Sequence, residues 1–370
     1  MQNAYKISLK KVSSVSCSGL LVLILLFVFS GCAANQATQP ATQAATTPAT
    51  KAITTAPVQL SDTAIQTALD NAYAKHKSNQ DGKNADYIKA LAEVDSKLFG
   101  ITVVTADGRI FDVGDTQSKF SIQSISKVFT YAKIMQENGP AVVKEKIGVN
   151  ATGLPFNSII AIELIPTRSV NPFVNAGAMA STSLVAAKDS ADRWAKIKAN
   201  MDAFAAHELE FNEVVYDSEV NDNLRNQAIA KLLQANGRTY SDPLEATTVY
   251  TKQCSVNVTS HDLAVMGSVL ANAGINPVSG KKIIDAANTP YILAVMATAG
   301  LYDNAGAWLF ETGTPAKSGV GGGILAVVPG KLAIGVFSPP LDSFGNSVRG
   351  QLAAASIIRE LELNPYAPTK

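Results

Sequence analysis

Two hairpin patterns lie near opposite ends of this chain, and they constrain its architecture more than any other feature. The stretch "LFGITVVTADGRIFDVGD" predicts two antiparallel strands joined at Asp107-Gly108. The stretch "GGILAVVPGKLAIGVFSPP" predicts a second hairpin that turns at Pro329-Gly330. Between about 177 and 299 the apolar spacing is mostly helical. We therefore predict an α+β fold in which one antiparallel sheet, formed from both chain ends, is flanked by helices, with a mainly helical lobe between.

The N-terminus has the pattern of an export segment. Three lysines lie between residues 6 and 11, and the apolar run at 20–29 is shorter than the roughly 20 residues that cross a bilayer. The run ends in "FSGC", which resembles a lipobox with a lipidated Cys32, although Phe29 replaces the usual smaller aliphatic residue. We predict a lipoprotein-type signal peptide over 1–31, with an uncleaved transmembrane anchor as the alternative. Both place the domain outside the cytoplasm, on the periplasmic or cell-surface side, tethered to a membrane.

Composition separates a spacer from the folded domain. Residues 32–59 are mainly Ala, Thr, Gln and Pro, which cannot bury enough apolar surface to fold, so we predict a disordered tether. We predict a single catalytic domain over 60–370, where Ser61 or Asp62 can cap a first helix. The net charge of +1, without a basic stripe, argues against a nucleic-acid partner. The three cysteines are widely separated, which argues against a disulfide framework or a cysteine zinc site.

A serine and a lysine interrupt an apolar helical pattern in "FSIQSISKVFTYAK". Ser124 and Lys127 are three positions apart, so on a helix they share one face. A lysine can deprotonate a serine only when its amine is neutral, which near pH 7 requires its pKa to fall by roughly three units from 10.4. Desolvation beside the apolar stripe is the usual cause of such a fall. The pattern thus suits a Ser-Lys nucleophile pair; alone, it also fits an ordinary amphipathic helix with one solvated lysine.

A second element comes directly before the terminal hairpin. Serine hydrolases with an S-x-x-K helix carry a K-[ST]-G strand on the opposite wall of the cleft, and this chain has Lys317-Ser318-Gly319. Gly319 permits close approach of a ligand, and the next backbone N–H can complete an oxyanion hole. The competing G-x-S-x-G nucleophile elbow does not occur in this sequence. No H-E-x-x-H or comparable spacing of metal ligands occurs either, so we expect no metal. Together the two elements indicate serine acyl-transfer chemistry.

Seven ordered motifs carry a more specific resemblance. They are "GKNADYIKALAEVDSKLFGI", "FSIQSISKVF", "NPFVNAGAM", "DSEVNDNLRNQAIA", "YTKQCSVNV", "GLYDNAGAW" and "PAKSGVGGGI". In this order the chain resembles the bacterial glutaminases, members of the serine β-lactamase and penicillin-binding superfamily, from about residue 60 to the C-terminus. Lys89 and Ala90 depart from the Pro-Glu that the family tends to have, and an exported N-terminus is atypical for it.

The resemblance implies a β-lactamase/transpeptidase-like fold and hydrolysis of L-glutamine to L-glutamate and ammonia, without a cofactor. It implies Ser124 as nucleophile, Lys127 as its base and Tyr302 as the group that transfers a proton to the leaving ammonia. The backbone N–H groups of Ser124 and Val320 would hold the oxyanion. The implied substrate-binding residues are Tyr87, Asn175, Glu219, Asn226, Tyr250, Tyr302 and Val320, with Glu219 on the α-ammonium. Lys317 and Gly319 would support the site, with the Lys317 cation helping to keep Lys127 neutral. The family commonly forms dimers and tetramers, so we expect a homodimer or homotetramer.

Two alternatives remain from the sequence. Export, S-x-x-K and K-S-G also suit an exported serine β-lactamase or penicillin-binding-type peptidase, but class A enzymes would show S-D-N where this chain has "NPFVNAG" followed by "SEVNDNLRN". The second alternative is a tethered binding or sensor lipoprotein that kept the fold and lost turnover.

A free amino acid carries a positive and a negative charge on one carbon, so its binding pocket needs an anion and neutral hydrogen-bond donors. Glu219 and Asn226, seven positions apart, could supply these from one helical face.

Overall fold

A computed structural model describes residues 60–221 and 223–368. The predicted signal peptide, the tether and Cys32 lie outside the described residues. Within the described part of the chain, no helix combines the length and apolar character needed to span a membrane.

The central sheet has five antiparallel strands in the order β2-β1-β7-β6-β5. The strands of this sheet are β1 Gly100–Thr105, β2 Ile110–Gly114, β5 Ala316–Gly319, β6 Gly323–Val328 and β7 Leu332–Phe337. A separate two-stranded sheet consists of β3 Phe120–Ser121 and β4 Asn257–Val258. The two predicted hairpins are β1-β2 and β6-β7, and Gly108 and Gly330 occupy their turns at φ 91° and 73°. Pairing of β1 with β7, from Gly100 with Phe337 onward, joins the two ends of the domain, as predicted.

Thirteen helices surround the sheet in the described residues. They are α1 Asp62–His76, α2 Lys89–Ala92, α3 Ser126–Lys146, α4 Ile160–Leu164, α5 Asn175–Leu184, α6 Ser190–Ala205, α7 Glu213–Val220, α8 Leu224–Ala235, α9 Pro243–Cys254, α10 Ser260–Ala271, α11 Thr289–Ala299, α12 Ala305–Thr312 and α13 Val348–Glu360. Ser61 caps α1, as predicted, by accepting the N–H of Ala64.

Both faces of the sheet are covered, which explains why its central strands are apolar throughout. Along β7, Leu332, Ile334 and Val336 join the cluster that includes α1 and α13, whereas Phe337 joins the cluster of the helical lobe. Gly335 lies against α10, where an added Cβ would be 2.2 Å from the Ser260 carbonyl oxygen. The absence of a side chain there lets α10 pack close to the sheet.

The start of the predicted Ser-Lys helix differs from the expectation. Phe120–Ser121 is strand β3, paired with β4, and a 3-10 turn at Gln123–Ile125 precedes α3. Gln123 has φ 50°, in the left-handed region, so the chain bends sharply there. The helical spacing of apolar residues correctly predicts α3 from Ser126 onward. At residues 120–121 pairing with the distant strand β4 overrides this local preference.

Candidate active site

A cavity of about 350 Å³ opens where the start of α3, the helical lobe and the segment after β5 meet. Seven residues implied by the sequence line it: Tyr87, Ser124, Asn175, Glu219, Asn226, Tyr250 and Val320. Tyr87 is about half exposed, whereas Asn175 and Tyr250 are buried. The fold thus gathers residues from most of the domain around one small concave site, as ligand sites require.

Ser124 and Val320 meet in this cavity because β5 lies close to the 3-10 turn. A Cβ added at Gly319 would be 2.7 Å from the carbonyl oxygen of Ile122. Gly319 therefore permits close approach of the protein's own backbone, which differs from the ligand approach that we expected. Ser124 is only 6% exposed, so a substrate that reaches it leaves most of its water behind.

Lys127 is 1% exposed, and burial lowers its pKa to about 8. Its Nζ donates to Asn175 Oδ1 at 2.8 Å and to the Phe173 carbonyl oxygen at 3.3 Å. Among the described residues, no hydrogen bond joins this amine to Ser124 Oγ. In substrate-free sites such bonds are often long and tighten only when substrate binds. The predicted fall in the lysine pKa and the dry environment are both present.

Tyr302 lies behind Ser124, in a 3-10 turn before α12. Its hydroxyl donates to the Ser318 carbonyl oxygen at 3.4 Å. Burial raises the pKa of Tyr302 to about 12, and hydrogen bonding to the Ser124 side chain acts in the opposite direction. The phenol therefore keeps its proton at neutral pH and can donate it near the nucleophile.

Lys317 does not behave as the expected cation. It is fully buried, its Nζ donates to the Ser318 carbonyl oxygen at 2.7 Å, and it lies 4.2 Å from the centroid of the Tyr302 ring. Burial first, and then the charge of Lys127, lower the pKa of Lys317 well below its usual value. The two lysines cannot both be charged in this space, so burial and not a Lys317 cation accounts for a neutral Lys127.

Glu219 and Asn226 do not share a helical face, so that prediction is wrong. Glu219 belongs to α7 and Asn226 to α8, and the chain turns between the two helices. Both side chains still reach the cavity. Asn226 Oδ1 accepts from Asn175 Nδ2 at 3.0 Å, and the Tyr250 hydroxyl donates to Asn175 Oδ1 at 3.0 Å. Asn175 thus links the lysine to the group of residues expected to bind the amino-acid head.

Sequence reasoning missed seven of the residues that line the cavity, and two of these, Gln123 and Cys254, bear on its chemistry. Gln123 Nε2 donates to Glu219 Oε1 at 2.6 Å, which holds this carboxyl in place. Burial nevertheless raises the pKa of Glu219 to about 7. Cys254 is buried beside Ser126, and burial raises its pKa to about 12, so it remains a neutral thiol. A polar side chain inside the apolar run next to Ser124 was the signal that could have revealed Gln123.

The described residues offer no group of three or more His, Cys, Asp or Glu side chains placed to hold a metal ion. The cavity wall holds the Ser124 hydroxyl and the Glu219 carboxyl, whereas the Lys127 amine and the Tyr302 phenol are buried beside it and do not line it. Such a set can carry out acyl transfer by a serine nucleophile and can bind a small ligand with a cationic group.

The sequence matches the family model for glutaminases over residues 82–366. The chain belongs to the glutaminase family. It is 54% identical over 302 residues to a glutaminase from Colwellia psychrerythraea, covering 82% of this chain and 97% of that protein. A glutaminase from Mycobacterium ulcerans is 48% identical over 310 residues, covering 84% and 97%.

Solved structures of glutaminases share the fold. The probable glutaminase ybaS superposes with a TM-score of 0.82 at 45% identity, covering 84% of this chain and all of that chain. Mglu in its glutamate form gives a TM-score of 0.78 at 36% identity, covering 83% and 71%. The resemblance to the glutaminases and the predicted α+β fold class are therefore confirmed.

Proposed function

We propose that this protein hydrolyses the side-chain amide of L-glutamine to L-glutamate and ammonia through an acyl-enzyme on Ser124. One observation carries the proposal: Ser124, Glu219 and Val320 line a single small cavity of a chain that is 54% identical to a known glutaminase. A sequence relationship of this extent makes the substrate class specific, and the geometry supplies the chemistry.

In the acylation step, neutral Lys127 takes the proton of Ser124 as Oγ attacks the carboxamide carbon. The backbone N–H groups of Ser124 and Val320 hold the developing oxyanion. The C–N bond then breaks, and the leaving nitrogen takes a proton through the Tyr302 hydroxyl, which is restored from Lys127. Water attacks the ester in the second half, and release of glutamate returns Ser124 to its starting state.

Recognition of the amino-acid head uses opposite charges at one end of the cavity. Ionised Glu219 pairs with the α-ammonium, and the amides and hydroxyls of Tyr87, Asn175, Asn226 and Tyr250 surround the α-carboxylate and α-ammonium. Gln123 keeps Glu219 oriented. The related protein Mglu has been solved in a glutamate form, which supports binding of this product class.

The test is ammonia release from glutamine by a purified chain that begins at Leu60. We expect release from the parent, none from Ser124→Ala, and normal release from Ser268→Ala, a buried serine on α10 that is bonded within its helix. Nitrocefin should stay uncleaved. Colour from nitrocefin without ammonia would instead identify a β-lactamase or penicillin-binding-type peptidase, and unchanged ammonia release by Ser124→Ala would reject the mechanism.

We also propose that residues 1–31 export the protein and that Cys32 is lipidated, which tethers the enzyme on the periplasmic or cell-surface side of a membrane. The lipobox-like "FSGC" supports this. Radioactive palmitate should label the parent and Cys17→Ser but not Cys32→Ser. A parent protein that takes up no label yet stays membrane-bound would support an uncleaved anchor.

We propose further that the domain forms a homodimer or homotetramer, as the family commonly does. Light scattering on the purified domain measures this directly, and a monomer mass across micromolar concentrations would contradict it.

A further inference from the structure

The backbone of Tyr302 is held in an unfavourable conformation. Its φ of 56° lies in the left-handed region, which bulky residues rarely adopt. Such a conformation persists only where the surrounding structure imposes it. Tyr302 must place its hydroxyl beside Ser124, so whatever imposes this conformation bears on the reaction.

A closed turn at 342–346 lies next to the ring of Tyr302. Asp342 Oδ1 accepts the N–H groups of Phe344 and Asn346 at 2.9 and 3.0 Å, which organises the turn. A Cβ built on Gly345 would lie 3.6 Å from Tyr302 Cε2 and 3.5 Å from Val320 Cγ1. The turn therefore borders both the phenol and the oxyanion segment, with room for an added methyl group between them.

Side chains tie this turn to the Leu301 backbone before Tyr302 and to the Asn304 side chain after it. Asn346 Nδ2 donates to the Leu301 carbonyl oxygen at 3.5 Å. Gln351 on α13 bridges Asp342 in the turn and Asn304 in the segment after Tyr302. Its Nε2 donates to Asp342 Oδ2 at 2.8 Å, and its Oε1 accepts from Asn304 Nδ2 at 3.4 Å. The short segment 301–304 is thus fastened at each end to one turn.

The bridge is separate from the substrate cavity. Asn304, Asp342 and Gln351 line a second cavity of about 390 Å³, between α1, α12 and α13, and none of them lines the cavity at Ser124. Any effect of these residues on the reaction must therefore pass through Tyr302 or Val320.

We propose that Gln351 and Asp342 are positioning residues, which hold the Tyr302 hydroxyl against Ser124 through the 342–346 turn. The inference rests on the proposed role of Tyr302 in proton transfer. It assigns to the 342–346 turn and α13 a part in catalysis that does not involve contact with substrate. Loss of the bridge lets segment 301–304 relax toward an ordinary backbone conformation and moves the phenol away.

The test combines Gln351→Leu with Tyr302→Phe in a double-mutant cycle. In the parent background, Gln351→Leu should lower kcat about five- to tenfold and leave KM within about twofold, because substrate contacts are unchanged. In the Tyr302→Phe background the same change should cost less than about twofold. Asp342→Asn keeps an acceptor for the turn and serves as a second variant, with the same expected pattern if Gln351→Leu folds poorly.

The chain offers a matched control on α3. Gln136 Nε2 donates to Asp285 Oδ2 at 2.6 Å, and its Oε1 accepts from Asn288 Nδ2 at 3.0 Å, so it makes the same Gln-Asp-Asn bridge away from the site. Gln136→Leu should leave kcat and KM unchanged. Equal losses from Gln136→Leu and Gln351→Leu would show a general structural effect and overturn the inference.

Two further outcomes separate this inference from the proposed function. If Tyr302→Phe lowers kcat to a small, measurable value while Gln351→Leu and Asp342→Asn retain the parent kcat, or act additively with Tyr302→Phe, the positioning role is wrong and the role of Tyr302 stands. If Tyr302→Phe keeps the parent kcat, the proposed role of Tyr302 fails, and the inference fails with it.

Discussion

At the scale of single residues, burial sets which groups of the site carry protons. Lys127 has a pKa of about 8 and Glu219 of about 7, both moved by desolvation toward neutrality. Loss of water therefore favours the uncharged Lys127 amine that the proposed reaction needs, and it opposes the ionised Glu219 carboxylate that the proposed recognition needs. Gln123 offsets part of that second cost through its hydrogen bond to Glu219.

The pH dependence of kcat/KM should report the ionisation of both Lys127 and Glu219. The proposed active form has Lys127 neutral and Glu219 ionised, so kcat/KM rises with pH through about 7 and 8, until the α-ammonium of the substrate begins to lose its proton. Steady-state kinetics between pH 5.5 and 9.5, to bracket these values, measure it. Glu219→Gln should retain only the upper inflection. A profile that falls with rising pH across this range would contradict the base role of Lys127.

Replacing the carboxyl tests recognition. Glu219→Gln removes the charge opposite the α-ammonium, so KM for glutamine should rise about tenfold or more. Rejection of an analogue without the α-amino group should weaken, as measured by the ratio of kcat/KM values. Glu210→Gln is the control, because Glu210 forms an exposed pair with Lys119. Undiminished discrimination in Glu219→Gln would remove Glu219 from its proposed role.

We expect buried Lys317 to lower the free energy of unfolding of the protein, although it supports the active site. Burial lowers the pKa of Lys317 in the native protein, so its contribution to native stability rises with pH between that lowered pKa and the ordinary lysine pKa of about 10.4. Lys317→Met should therefore raise Tm at pH 7, make stability less dependent on pH, and lower kcat. Lys331→Met, at an exposed position in the turn between β6 and β7, should leave the slope unchanged. Denaturant unfolding at pH 6, 7 and 8 distinguishes the variants.

At the scale of elements, the sequence predicted what local chemistry determines. The hairpins were predictable because Asp107-Gly108 and Pro329-Gly330 supply turn residues between apolar runs. The first helix was predictable from its Ser61 cap. Strand β3 was missed because its only partner is far away in the sequence, and the break between α7 and α8 was missed because the surrounding pattern stays helical.

Two helical glycines make a matched pair at this scale. A Cβ at Gly177, in the first turn of α5, would lie 1.8 Å from the Asn171 carbonyl oxygen, whereas at Gly306 in α12 nothing lies within 4 Å. Gly177→Ala should cost about 1–3 kcal/mol and lower kcat, because Asn175 must shift. Gly306→Ala should gain about 0.5–1 kcal/mol. Urea unfolding measures both; equal effects would contradict the close packing of α5 on residue 171.

At the scale of the whole molecule, the site is a product of tertiary assembly. The Ser-Lys and K-S-G patterns were readable, and the roles of Tyr87, Glu219 and Tyr302 came from family resemblance. Gln123 and the role of Gly319 were not readable, because each depends on a contact between distant segments. Local patterns therefore pointed to Ser124 and Lys127 as candidate reacting groups, and only the packed structure shows which side chains surround them.

Truncation tests where the domain begins. A chain starting at Leu60 should keep the kcat and Tm of the full-length protein. A chain starting at Lys77 lacks α1, which buries Ile65 and Leu69 beside the sheet, each contributing about 1.5–3 kcal/mol. We expect it to aggregate or to lack a cooperative transition by circular dichroism. A folded, active product from the shorter chain would show that α1 is dispensable.

The pairing of β1 with β7 also sets the order of events as the chain emerges to fold. Gly100 cannot meet Phe337 until almost the entire polypeptide has been synthesised, roughly ten to fifty seconds later at ordinary elongation rates, and, on the proposed export route, has crossed the membrane. Until then the edge of β1 that later pairs with β7 is unoccupied. A chaperone that shields this hairpin until the whole chain has crossed should therefore raise the yield of native enzyme more than one that acts on the helical middle of the chain.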